Sequence, residues 1–264
     1  MFDTTIDDSR GEVVLELPWS GWIADDGPEP AIARGLTAMI MDHVLGFAIS
    51  LGRPNFPPST TIDLRIDWSR PLIAGAPARV NVDGLFGEGD VILAVGSLWQ
   101  NMGDSPCAIG TGRFLSGVYP GRQSARADSE IPAPLAMPEG PASFSRFLGL
   151  ESLSGGRFIL PGVPRLAGQA HVGAFHGGVI AAASERAAQV ILSDWSQSGQ
   201  ARCVTLEIEY MRPAFTAADI LLTAEVLRVG RSTACVEIET RQNGWDGPVL
   251  TRATTMWVKE AEPQ

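Results

Sequence analysis

His176-Gly177-Gly178-Val179-Ile180-Ala181-Ala182-Ala183-Ser184-Glu185 reads as a glycine-marked turn running into a helix of small residues, with one acid among alanines. A helix start offers unpaired backbone N–H groups and the positive end of its dipole to a negative charge. An acid on an otherwise apolar stretch is costly to bury unless it is paired or used. The helix stays apolar nearly all round, through Ala187, Ala188, Val190 and Ile191, which predicts a buried helix enclosed by a curled antiparallel sheet.

Working outward, the order of elements around this helix occurs twice. Gly11 to Pro18 alternates like a half-buried strand, and Leu36 to Leu51 reads as a buried helix closed by Gly52 and Pro54. Thr61 to Trp68 follows with period two, then strand-like runs at Ala78–Phe86, Val91–Asn101 and Cys107–Leu115 between Gly/Asp turns. Residues 121–141, rich in Pro, Ala, Ser and Gly, read as a linker between units at 1–120 and 142–264. Beyond it, Arg157–Pro161 repeats the opening strand, with Pro161 lying 143 positions after Pro18. His176 lies 143 after Ala33, and Pro213 ends Val204–Arg212 142 after Pro71. Asn243 follows Asn101, and Pro248 follows Pro106, at that same offset of 142. The fold class expected is α+β, with two tandem units forming a pseudo-dimer. Pairing the units side by side removes a sheet edge that either alone exposes.

Totals narrow the function. The 264 residues are 45% hydrophobic and 19% charged, with a net charge of −10. An acidic chain argues against nucleic acid and anionic membranes as partners. No window reaches the ~18 apolar residues a membrane span needs, and Met1 to Asp8 lacks the apolar run of a signal peptide. Cys107, Cys203 and Cys235 are scattered, without a CxxC, which points to a reducing cytoplasm and gives no metal site.

His176-Gly177-Gly178 at a helix start, an acid nine residues after the histidine, Tyr210-Met211-Arg212-Pro213 at a strand end and Gly230-Arg231-Ser232 at a hairpin resemble the hotdog-fold acyl-CoA thioesterases. The branch it most resembles is that of the phenylacetyl-CoA and hydroxybenzoyl-CoA enzymes, and the whole looks like a double-hotdog form. The match is good from Phe147 to Val258. The N-terminal half keeps the pattern but shows Ala33-Arg34-Gly35 for the glycine motif.

The resemblance implies thioester hydrolysis without a cofactor, with acyl-CoA as substrate and a homodimer of pseudo-dimers as the assembly. It also implies that the acid and the glycine motif of one site come from opposite units. Counting nine from Ala33 gives Asp42, so one site joins Asp42 to His176, Gly177 and Gly178. The other joins Glu185 to Arg34 and Gly35. Asp42 would be nucleophile or general base, the Gly178 amide would hold the oxyanion, and His176 would position the acyl group. Gln189 and Arg231 complete the substrate-binding set, Arg231 as a phosphate contact. The chain departs from the family at Ala170, where Asn or Gln is frequent, and at Gly46 and Gln189, where Ser or Thr is. Each residue has a plainer reading: His176 as a helix cap, Asp42 as a buried acid bonded to backbone, Glu185 as a relic, and Arg70 and Arg212 as structural ion pairs. A non-catalytic acyl-CoA binding module and a hotdog hydratase are the alternatives, though no hydratase motif is present.

Overall fold

A computed structural model describes residues 3–7, 12–19, 23–24, 32–51, 58–70, 72–73, 75–100, 105–117, 143–169, 172–196 and 201–259. The 121–141 linker, Ala170 and His171 lie outside the described residues. Strands β1 (Asp3–Asp7) and β2 (Glu12–Leu17) precede helix α1 (Arg34–Leu51). Four strands follow: β3 (Ser59–Trp68), β4 (Ala78–Phe86), β5 (Val91–Gln100) and β6 (Ala108–Ser116). A short helix α2 (Phe144–Leu148) leads to β7 (Glu151–Ser152) and β8 (Arg157–Leu160). Then come β9 (Ala167–Gln169), β10 (Ala174–Phe175) and helix α3 (Gly177–Ile191). The last strands are β11 (Ala201–Tyr210), β12 (Ile220–Val229), β13 (Thr233–Arg241) and β14 (Val249–Lys259).

Twelve strands form one antiparallel sheet in the order β1-β2-β4-β5-β6-β3-β11-β14-β13-β12-β8-β7. The order reads outward identically from the β3–β11 seam, strand for counterpart strand. Register across the seam is centred on Arg65 facing Glu207, its own counterpart 142 positions on, and the two side chains pair at 3.2 Å. Asp67 faces Thr205, the counterpart of Asp63, and Asp63 faces Glu209, the counterpart of Asp67, so the seam is isologous, the contact a two-fold axis makes.

Helix α1 lies against β2–β6, α3 lies against β11–β14, and the two helices pack on each other. Period-two alternation puts Leu64, Ile66, Trp68, Leu206 and Ile208 beneath them, all buried. Two close approaches set the helix crossing. Gly178 sits where a Cβ would be 2.6 Å from Met39 Cα, and Gly35 where one would be 3.2 Å from Ala182 Cα. Both glycines and both facing residues are 143 positions apart, so the two contacts are counterparts.

Loop anchoring repeats as well. Gln100 donates to the carbonyls of Ile73 and Ala76 and accepts from the Ile73 N–H. Gln242 does the same with Phe215 and Ala218, each 142 positions later. Gln242→Ala leaves an amide and two carbonyls without these bonds, at about 2–3 kcal/mol. A thermal melt is expected to fall by roughly 5–10 °C.

Candidate active site

The start of α3 points at α1. His176 is the residue before the helix, and its Nδ1 accepts the Gly178 N–H at 3.0 Å. Asp42, two turns into α1, sends Oδ2 to the same N–H at 2.6 Å. Its Oδ1 accepts the Thr61 hydroxyl of β3 at 2.8 Å. His176 Nδ1 and Asp42 Oδ2 are 3.2 Å apart, two acceptors sharing one donor. That separation accommodates a hydrogen bond once either atom carries a proton. Tyr210, at the end of β11, donates its hydroxyl to the Gly177 carbonyl at 2.7 Å, which fixes the first turn from the other side.

Asp42 is 4% exposed. Burial drives its pKa up from an ordinary 3.8 to about 6, against the pull of Thr61, the Gly178 N–H and His43. Burial pushes His176 down to about 4, so at neutral pH its imidazole is uncharged, with Nδ1 free to accept. Tyr210 is raised well above 10, by burial and then by the Asp42 charge, and keeps its hydroxyl proton. The result is a carboxylate that two donors, Thr61 and the Gly178 N–H, help to keep ionised near neutrality, beside a neutral imidazole.

The structure brings Asp42, His176, Gly177 and Gly178 together across the two halves of the chain. Thr61 and Tyr210 join them. Thr61 went unremarked in the sequence, although it is the counterpart of Cys203 and lies on a strand of obvious period. His43 is exposed on α1, its ring stacked on Phe47 and 5.7 Å from the His176 ring.

Glu185 is buried on α3, next to Cys203, whose thiol is pushed up first by burial and then by that acid. Arg34 donates to the Cys203 carbonyl at 2.6 Å. Gln189 accepts from Arg186 on the same helix. Arg231 lies on the hairpin beyond Gly230, whose carbonyl accepts from Trp195 past the end of α3. Thirteen residues of helix, about 20 Å, separate that end from Gly178. Arg70 and Arg212 tie backbone carbonyls, those of Ser105 and Val249, and among the described residues neither makes an ion pair. Among the described residues no group of three His, Cys, Asp or Glu is placed to hold a metal, and no helix is long and apolar enough to cross a membrane.

Residues 166–258 match the acyl-CoA thioesterase N-terminal domain family. No curated protein matches in sequence. Among solved structures, the tesB protein of Mycobacterium avium subs paratuberculosis is 12% identical at a TM-score of 0.60, over 95% of this chain and 93% of that one. The 12:0-ACP thioesterase of Umbellularia californica is 10% identical at a TM-score of 0.62, over 97% and 98%. A hotdog-fold protein of unknown function from Alicyclobacillus acidocaldarius is 10% identical at 0.57, over 99% and 97%. At these identities the likeness is one of fold. The chain thus has the hotdog fold, and its residues 166–258 are similar to the acyl-CoA thioesterase N-terminal domain.

Proposed function

We propose that the chain is two hotdog units in tandem, 1–120 and 142–264, and that it hydrolyses an acyl-CoA thioester where α1 of the first meets the start of α3 in the second. The observation that carries this reading is the buried Asp42 carboxylate, 2.6 Å from the Gly178 N–H and 3.2 Å from His176 Nδ1. A group titrating near 6 is poised to take a proton at neutral pH.

Asp42 acts as general base on water or as nucleophile. In the first route water oxygen bonds the thioester carbon as its proton passes to Asp42. The carbonyl π pair becomes the oxyanion, the C–S bond then breaks, and the thiolate leaves as CoA and is protonated. A protonated carboxyl is a weaker acceptor than a carboxylate. The Gly178 N–H it held is thereby released to the developing oxyanion, at the positive end of α3. The proton on Asp42 has an acceptor in His176 Nδ1. Gly177, Gln189 and Arg231 form the proposed contacts to the substrate, Arg34 and Gly35 belong to the counterpart site, and the units pair again into a homodimer of pseudo-dimers in the cytoplasm.

Thr61→Val removes the donor on Asp42 Oδ1 and raises the Asp42 pKa further. The acid limb of activity, expected near pH 6 in the unmodified protein, moves up by about one unit. A pH–rate profile of thiol release checks it, and an unmoved limb excludes Asp42 as the titrating group.

One observation favours a second reading. The Gly178 N–H is already taken by Asp42 and His176, as in a helix cap. A binding module would keep that arrangement when loaded and release no CoA.

A further inference from the structure

Resting on the thioesterase reading, we infer that the symmetry-related second site is closed by the side chain of Arg34, so that each chain binds and turns over one acyl thioester.

Four groups of the first site keep a counterpart. Glu185 stands for Asp42 and Gly35 for Gly178, 143 positions apart, while Cys203 stands for Thr61 and Trp68 for Tyr210, 142 apart. Support of the first helical turn is kept too. Tyr210 reaches the Gly177 carbonyl directly, and Trp68 Nε1 reaches the Arg34 carbonyl through the Thr37 hydroxyl, at 3.0 and 2.7 Å. The second site is therefore an intact frame, and the difference lies in what fills it.

Gly177 corresponds to Arg34. A Cβ at Gly177 would be 3.1 Å from Asp42 Oδ2, 3.1 Å from Thr61 Oγ1 and 3.4 Å from the Tyr210 ring. Any side chain there grows straight into the space in front of the carboxylate. At the second site a side chain does so, and it is the longest cation available. The Arg34 guanidinium donates to the carbonyl of Cys203, the counterpart of Thr61, and its charge and that of Glu185 both act on the Cys203 thiol. Ala33 supplies no imidazole in place of His176. The guanidinium thus lies where a thioester would need to sit, and its charge opposes that of Glu185 at the Cys203 thiol, beside an acid that is otherwise costly to keep buried.

The test is binding stoichiometry, by calorimetry or native mass spectrometry, with the non-hydrolysable thioethers S-hexyl-CoA and S-dodecyl-CoA. The full-length protein is expected to bind one equivalent per chain, and Arg34→Gly two. Two equivalents in the unmodified protein, or one in a folded Arg34→Gly, overturn the inference and leave the first site untouched. No binding of either analogue would instead sink the thioesterase reading beneath it. Should Arg34→Gly fail to fold, Arg34→Ser and the count in the unmodified protein decide the question.

Discussion

Asp42→Asn is expected to abolish release of CoA, by at least ~1,000-fold, without lowering the melting temperature at neutral pH. The amide keeps the shape and an acceptor for the Gly178 N–H, but it can neither take a proton nor attack. Stability is spared because the native carboxylate is a liability. Its pKa lies about two units above ordinary, so near neutrality the fold carries roughly 3 kcal/mol of strain in keeping it charged. A raised acid stabilises the fold below pH 3.8, and that contribution is lost as pH rises through about 6. His176 runs the other way: a base lowered to about 4 contributes stability above pH 6.5 that is lost as pH falls through about 4. In the unmodified protein the two slopes oppose each other between pH 4 and 6. In Asp42→Asn the slopes of His176 and of His43, whose imidazole desolvation lowers likewise to about 4, stand unopposed by Asp42, so stability climbs with pH across that interval. Denaturant midpoints taken along the pH series check both parts. Retained hydrolysis removes Asp42 from the chemistry, and a flat profile removes the coupling to His176.

Gly178→Ala is expected to damage fold and activity together. The new methyl would sit 2.6 Å from Met39 Cα and 2.8 Å from its carbonyl oxygen. Both belong to the backbone of α1, so no side-chain rotation relieves the clash and the helices must separate. A cost of about 3 kcal/mol follows, with a melting point lower by roughly 6–12 °C. Separation also draws the Gly178 N–H away from Asp42 and the reacting carbonyl, for a loss of ~100-fold or more in kcat. Gly177→Ala is the control. Its methyl meets the side-chain ends of Asp42 and Thr61 at 3.1 Å, which yield by a few tenths of an ångström, and the Tyr210 ring at an ordinary 3.4 Å. It should lose activity while keeping most of the melting temperature. Equal melting losses in the two variants would show that crowding against α1 is not what Gly178 avoids.

Much of this was legible in the chain because the repeat is written in positions that backbone geometry constrains. The Pro18–Pro161 and Pro71–Pro213 spacings mark strand ends, and counting along two helix starts pairs Asp42 with Glu185 before any coordinates are seen. The site's supports were not legible. Thr61 sits in an alternating strand where a half-buried threonine is ordinary, and only its bond to Asp42 distinguishes it. Tyr210 stands in the sequence only as part of a strand-end Tyr-Met-Arg-Pro, and its hydroxyl is spent on the Gly177 carbonyl. Strands β1 and β7 widen the sheet at both edges without any period strong enough to reveal them. Arg34 is the clearest case. Its sequence neighbours present it as one residue of a degraded motif, while the direction of its side chain follows only from the fold.

The account stands on thioester cleavage. The most direct measurement is thiol-reagent detection of free CoA from a panel of straight-chain and aromatic acyl-CoAs, with binding followed in parallel. The account predicts stoichiometric conversion of at least one substrate to free acid and CoA, dependent on Asp42. Acyl-CoA that binds and is recovered with its thioester intact would contradict it.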